Sequence, residues 1–158
     1  MTVTLVICQA SNEKERDNIF SIGRRSRWLS AQTGKDGEVI VGLENCWVLI
    51  PAQAAGNKNV TLTVGTWHVM TVGVSDRGLK IRVMVDGKAA NEVFRPAIAG
   101  DIIPRQINET GNNFLSFVDP GTPRHVHGFI QRIIIHRGLL SVGAMEELQQ
   151  SLPTKDIE

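Results

Sequence analysis

Along residues 2–10 the apolar positions Val3, Leu5 and Ile7 alternate with Thr2 and Thr4, the two-residue period of a strand that turns one face to a core. The polar and charged run 11–18 breaks the alternation and reads as a loop. Segments rich in Val, Ile and Thr then recur at short intervals, at 19–23, 28–32, 38–43, 47–50, 60–64, 67–74, 79–85, 114–118 and 129–136. That composition and spacing predict strands. The turn chemistry agrees, with Gly34-Lys35-Asp36-Gly37 between two segments, Ser75-Asp76-Arg77-Gly78 between the next pair and Asp86-Gly87 after residue 85. Residues 97–113 carry Gly100, Pro104 and Gly111 and hold no period. One helix is expected, over 144–152, with Ser141 as its N-cap, acids near its start and Pro153 beyond its end. Leu140, Met145, Leu148 and Leu152 give it an apolar stripe. The pattern as a whole predicts an all-β chain, a two-sheet antiparallel sandwich with one short C-terminal helix.

Composition narrows this picture. A chain of 158 residues suits one domain spanning 1–158, and 42% hydrophobic with 21% charged residues is ordinary for a globular core. A net charge of +1 gives no overall field toward nucleic acid, so no nucleic-acid partner is expected. Apolar runs such as 133–135 and 48–50 fall far short of a membrane span. The first ten residues lack the basic start and small-residue cleavage site of a signal peptide, which points to a virion or cytoplasmic setting. Cys8 and Cys46 both sit in apolar strand-like stretches. They read as buried free thiols, or as a bridge should their strands be neighbours.

Two segments taken together carry a resemblance. Trp67-His68-Val69 opens a strand that turns back into Leu79–Val85 and ends in Asp86-Gly87; later, Gly128-Phe129-Ile130 leads through His136 to Leu139-Leu140-Ser141. This order resembles the laminin-G-like branch of the concanavalin A-like lectin and glucanase superfamily, in which a Gly-x-Ile strand and a Leu-Ser step precede a short helix. Residues 19–23 are similar to its short second strand. The resemblance implies a jelly-roll sandwich and a non-catalytic, lectin-like module, of the kind found in phage virion and bacterial surface proteins. Its partner would be a glycan or a protein. An alternative within the same fold is a structural subunit, capsid-decorating or in a tail, that acts through self-assembly. The chain departs from the pattern in lacking the strand that commonly precedes the equivalent of 2–10, which favours a homo-oligomer or virion assembly. It also has no tyrosine.

The residues themselves exclude some chemistry. A glycosidase needs an acid and a second carboxylate held about 5 Å apart or somewhat further. No strand here offers that pair: Glu13 and Glu15 fall in a polar stretch, and Glu146 and Glu147 on the helix. No phosphate loop, nucleophile elbow or zinc-protease motif occurs. No cofactor is expected. His125 and His127 alternate and could face one side toward a divalent ion, and Asp119, Asp76, Asn112 and Asn113 offer oxygens for calcium. Nothing in the sequence makes these ligands converge. The clearest recognition feature is Arg24-Arg25-Ser26-Arg27-Trp28. Its guanidiniums beside an indole suit an acidic sugar or phosphate, with Trp28 as a stacking platform; the other reading packs Trp28 inward and leaves the arginines solvated. The candidate contacts are therefore Arg25, Arg27, Trp28, Asn112 and Asn113.

Overall fold

Among the described residues, eleven strands are followed by one helix: β1 (Thr2–Gln9), β2 (Asp17–Gly23), β3 (Leu29–Thr33), β4 (Val39–Leu43), β5 (Cys46–Leu49), β6 (Trp67–Val74), β7 (Lys80–Val85), β8 (Lys88–Ala89), β9 (Val93–Phe94), β10 (Phe114–Ser116), β11 (Gly128–His136) and α1 (Val142–Gln150). They are taken from a computed structural model that describes residues 1–11, 17–23, 29–34, 36–43, 46–50, 60–75, 80–90, 92–94, 114–117 and 127–153. The first sheet runs β11-β1-β6-β7, with β8 and β9 pairing successive parts of β7. The second runs β10-β2-β3-β4-β5. Every pairing is antiparallel. The fold is a two-sheet antiparallel jelly-roll sandwich with one short helix.

The two-residue period explains the core. Val3, Leu5 and Ile7 of β1, Met70, Val72 and Val74 of β6, and Ile81, Val83 and Val85 of β7 point into the sandwich. Phe20 and Ile22 of β2, Leu29 and Ala31 of β3, and Val39, Val41 and Leu43 of β4 meet them from the second sheet. Each fully buried Val, Leu, Ile or Phe contributes about 1.5–3 kcal/mol relative to exposure. A register shift between Asn18 and Phe20 marks a bulge, and Ile19 is added to the same core there.

The outer face of the first sheet lies under α1. Val6, Val69 and Leu152 form a small second cluster with Trp67, Ile134 and Leu148 against it. A side chain at Gly73 would collide with Leu139 and Met145, so the helix rests directly on the β6 backbone. Thr2 and Thr4 occupy this face as the alternation predicts, but in place of water they meet protein. Thr4 and Thr71 share a hydroxyl bond of 3.0 Å, and Thr2 Oγ1 donates to the Gly138 carbonyl at 2.9 Å while accepting from Leu140 N–H at 3.0 Å. Arg82 ties β7 to the same approach segment, donating from Nη1 to the Leu140 carbonyl at 2.7 Å.

Several boundaries differ from the sequence reading. Asp17 and Asn18 belong to β2 and are buried, although the polar run suggested a loop. Segment 60–64 forms no ladder: Thr61 makes a single bridge to Glu38 while Val60 and Leu62 insert into the core. Its alternation is real, but Leu62 N–H is spent on the Gly37 carbonyl at 2.9 Å. The helix starts at Val142, capped as expected by Ser141, whose hydroxyl accepts from Ala144 N–H. That earlier start leaves Glu146 and Glu147 past the first turn, which holds no acid. Cys8 is a buried free thiol; the side chain of Cys46 lies outside the described residues.

Candidate functional site

On β2 and β3 the face of the second sheet turned away from the core carries Asn18, Ser21, Ser30 and Gln32. In register, Ser116 stands opposite Ser21, Ser21 opposite Ser30, Ser30 opposite Gly42 and Gly42 opposite Trp47. One step along, Asn18 is opposite Gln32 and Gln32 opposite Ile40. Asn18 and Ser30 are wholly buried and Ser21 and Gln32 nearly so. Ser21 Oγ donates to Asn18 Oδ1 at 3.0 Å, which fixes the amide so that Nδ2 faces away from that bond. Among the described residues, Asn18 Nδ2 and Ser30 Oγ find no hydrogen-bond partner. An unmet polar group of this kind costs about 1–3 kcal/mol.

The second place of interest is the hairpin between β7 and β8. Asp86 and Gly87 take φ of +50° and +71°, the backbone of a type I′ turn, which Asp-Gly is suited to make. The same Asp86 reaches back to the start of β6. Its Oδ2 accepts from His68 Nδ1 at 2.6 Å and its Oδ1 from Val69 N–H at 2.8 Å. Thr63 N–H donates to His68 Nε2 at 2.8 Å, which assigns the ring proton to Nδ1. Both nitrogens of the imidazole are therefore occupied, and neither is free to act as a base. Burial raises the Asp86 carboxyl, but the bonds from His68 and Val69 and the charge of Lys88 outweigh it and hold it below its ordinary value of 3.8.

Beside this hairpin an open cleft of about 480 Å³ separates the sheet from the C-terminal end of α1, with Trp67, Asp86, Gln149, Gln150 and Leu152 among its lining residues. Gln149 closes the floor. Its Nε2 donates to Thr71 Oγ1 at 2.9 Å and to the Met84 carbonyl at 3.1 Å, and its Oε1 accepts from Gly87 N–H at 2.7 Å. Asp86 is the one carboxylate among the described residues lining the cleft, so the two-carboxylate arrangement of a glycosidase is not assembled there.

Arg25, Arg27, Trp28, Asn112, Asn113, Asp119 and His125 lie outside the described residues. His127 is exposed, and its carbonyl accepts from Ala10 N–H at 2.6 Å at the start of β11. Among the described residues no three His, Cys, Asp or Glu side chains gather in a way that could hold a metal ion. No helix of the described residues is long and apolar enough to cross a membrane. The sequence reading missed the Asn18–Ser30 face, although Ser21, Ser30 and Gln32 alternating with Ile22, Leu29 and Ala31 carried the signal. It also gave Trp67, His68 and Asp86 no joint role. The bond between His68 and Asp86 ties the strand opened by Trp-His to the one closed by Asp-Gly.

No protein-family model matches the sequence, and no curated protein matches it significantly. Solved structures do share the fold. The chain is similar to the Ruminococcus gnavus IT-sialidase CBM40 bound to α2,3-sialyllactose, with a TM-score of 0.68 and 14% identity over 94% of this chain and 80% of that one. It is similar to the native heptameric SAP-like pentraxin of Limulus polyphemus, with a TM-score of 0.66 and 13% identity over 94% of this chain and 68% of that one. The Trypanosoma rangeli sialidase matches 95% of this chain at 13% identity and a TM-score of 0.66, but the chain spans only 22% of that enzyme. At these identities the likeness establishes the jelly-roll sandwich.

Proposed function

We propose that the chain is a non-catalytic, lectin-like module that binds carbohydrate at one end of its second sheet. The observation that carries this reading is the two-sheet jelly-roll sandwich, which the chain shares with a sialidase CBM40 solved with α2,3-sialyllactose. Chain connectivity adds support. Gly23 and Phe114 are a register pair, and their covalent neighbours are Arg24 and Asn113. The segment that holds Arg25, Arg27 and Trp28 and the pair Asn112-Asn113 thus both join the sheet at that pair, two residues along β2 from Ser21. Arg25 and Arg27, which follow Gly23 closely in sequence, favour an acidic sugar. The likeness to a sialidase CBM40 solved with sialyllactose points the same way.

A glycan array carrying sialylated, sulfated and neutral glycans tests the proposal. The expected result is acidic hits whose affinity falls about tenfold or more in Trp28→Ala and in Arg25→Ala, the loss of a stacking or charge-assisted contact. An array with no glycan hit sinks it. A protein ligand recognised by the same residues is the nearest relative of this reading, in a virion or bacterial surface protein.

The rival, a capsid-decorating or tail subunit acting through self-assembly, draws support from β11. That strand ends the order of its sheet and leaves Ile135 51% exposed. Light scattering separates the two: a large symmetric assembly without glycan hits favours the subunit, and a small species with hits favours the lectin-like module.

A further inference from the structure

The outer face of the first sheet carries a second arrangement that the end of the other sheet does not share. Cys8 of β1 is the register partner of Phe129 on one side and Trp67 on the other. Residues paired across antiparallel strands point to the same face, so the two aromatic residues flank Cys8 at a separation of two strand spacings, about 9.5 Å. Phe129 is 65% exposed and Trp67 half-buried, while Cys8 between them is buried and small. The row leads into the cleft of about 480 Å³ at the end of α1, where the carboxylate of Asp86 and the exposed carboxamide of Gln150 stand beside Trp67.

The chemistry of this place selects its ligand. Both oxygens of Asp86 already accept one bond, from His68 and from Val69 N–H, which fixes the carboxylate in position. The side chain is still 36% exposed, so lone pairs remain for donors from outside. A carboxylate accepts and never donates when ionised, so the ligand must bring hydroxyl or amide hydrogens. It also repels an anion. Two aromatic platforms in a row suit flat, extended ligands with apolar faces, and sugar rings joined in a chain have that form. Gly87 N–H and Gln149 are bonded to each other, leaving Gln150 as the adaptable polar group at the rim.

We infer that the Phe129–Cys8–Trp67 row, with Asp86 and Gln150, is a second glycan site that takes neutral oligosaccharides and rejects acidic ones. The inference rests on the reading of the chain as a glycan-binding module and adds a site of opposite charge preference on the opposite sheet.

Calorimetric titration of the full chain with neutral oligosaccharides of glucose, mannose, galactose and N-acetylglucosamine, and with sialyllactose, tests it. Phe129→Ala and Gln150→Ala serve as variants because both side chains are exposed, which spares the fold. The expected result is binding of at least one neutral oligosaccharide, weakened about tenfold in Phe129→Ala and several-fold in Gln150→Ala, with any binding of sialyllactose unchanged in both. Neutral binding that neither variant alters overturns the second site and leaves the glycan-binding reading intact. Binding of sialyllactose alone does the same. A chain that binds neither class overturns both.

Discussion

Asp86 joins three levels of the structure through one side chain. Its backbone makes the left-handed step of the β7–β8 turn, its carboxylate holds His68 and the Val69 amide, and its free lone pairs face the cleft beside Trp67. Folding lowers its pKa, so the unfolded chain binds the proton more readily than the folded one. The stability it supplies is therefore fully present above the ordinary value of 3.8 and is lost as pH falls through the lower folded value. Urea denaturation of wild type and Asp86→Asn should show wild type the more stable at neutral pH. The gap should narrow as pH drops below 3.8. A gap that does not change with pH would remove the carboxylate's charge from the account. The turn was legible in the sequence because Asp-Gly has a strong local meaning. The link to His68 was not, because a contact between residues 18 apart depends on strand register.

The helix α1 shows what an element contributes beyond its apolar stripe. Met145 is buried and Leu148 partly so, as helical spacing predicts, and Leu152 is buried just past the helix end at Gln150, yet the side chain that fastens the helix to the sheet is Gln149. Its carboxamide serves Thr71, the Met84 carbonyl and Gly87 N–H at once. Replacing it strands several buried polar groups. Gln149→Ala should cost about 2 kcal/mol in chemical denaturation, within the range for unmet buried groups, whereas Gln150→Ala should stay within about 0.5 kcal/mol. Equal effects of the two substitutions would contradict this picture. Gly128 makes a parallel case on β11. A Cβ there would collide with the Cys8 carbonyl, so Gly128→Ala should destabilise by about 1–3 kcal/mol in the same assay. Gln149 escaped the sequence reading because a polar residue on a small helix ordinarily faces water, and only the sheet beneath it shows otherwise.

At the scale of the molecule, the sandwich was legible because strand composition, two-residue alternation and turn residues all point to the same architecture. The ends of segments were less so: buried polar residues such as Asp17 and Asn18 look like loop residues until their strand partners are known. The candidate site was legible only in part. Arg25, Arg27, Trp28, Asn112 and Asn113 lie outside the described residues, while the alternation behind the Asn18–Ser30 face was in the sequence and only the pairing of its strands needed the register. Two glycan sites of opposite charge preference on opposite sheets would make the module a two-ended reader of glycans, and an assembly of such modules would gain by multivalency. The most direct test of the central reading is an NMR titration of the isotopically labelled chain with the strongest acidic glycan of the array, following the backbone amides of Gly23, Ser30 and Phe114. The account predicts saturable shifts at these three positions with the glycan recovered intact; no shift at any of them at saturation, or a cleaved glycan, would contradict it.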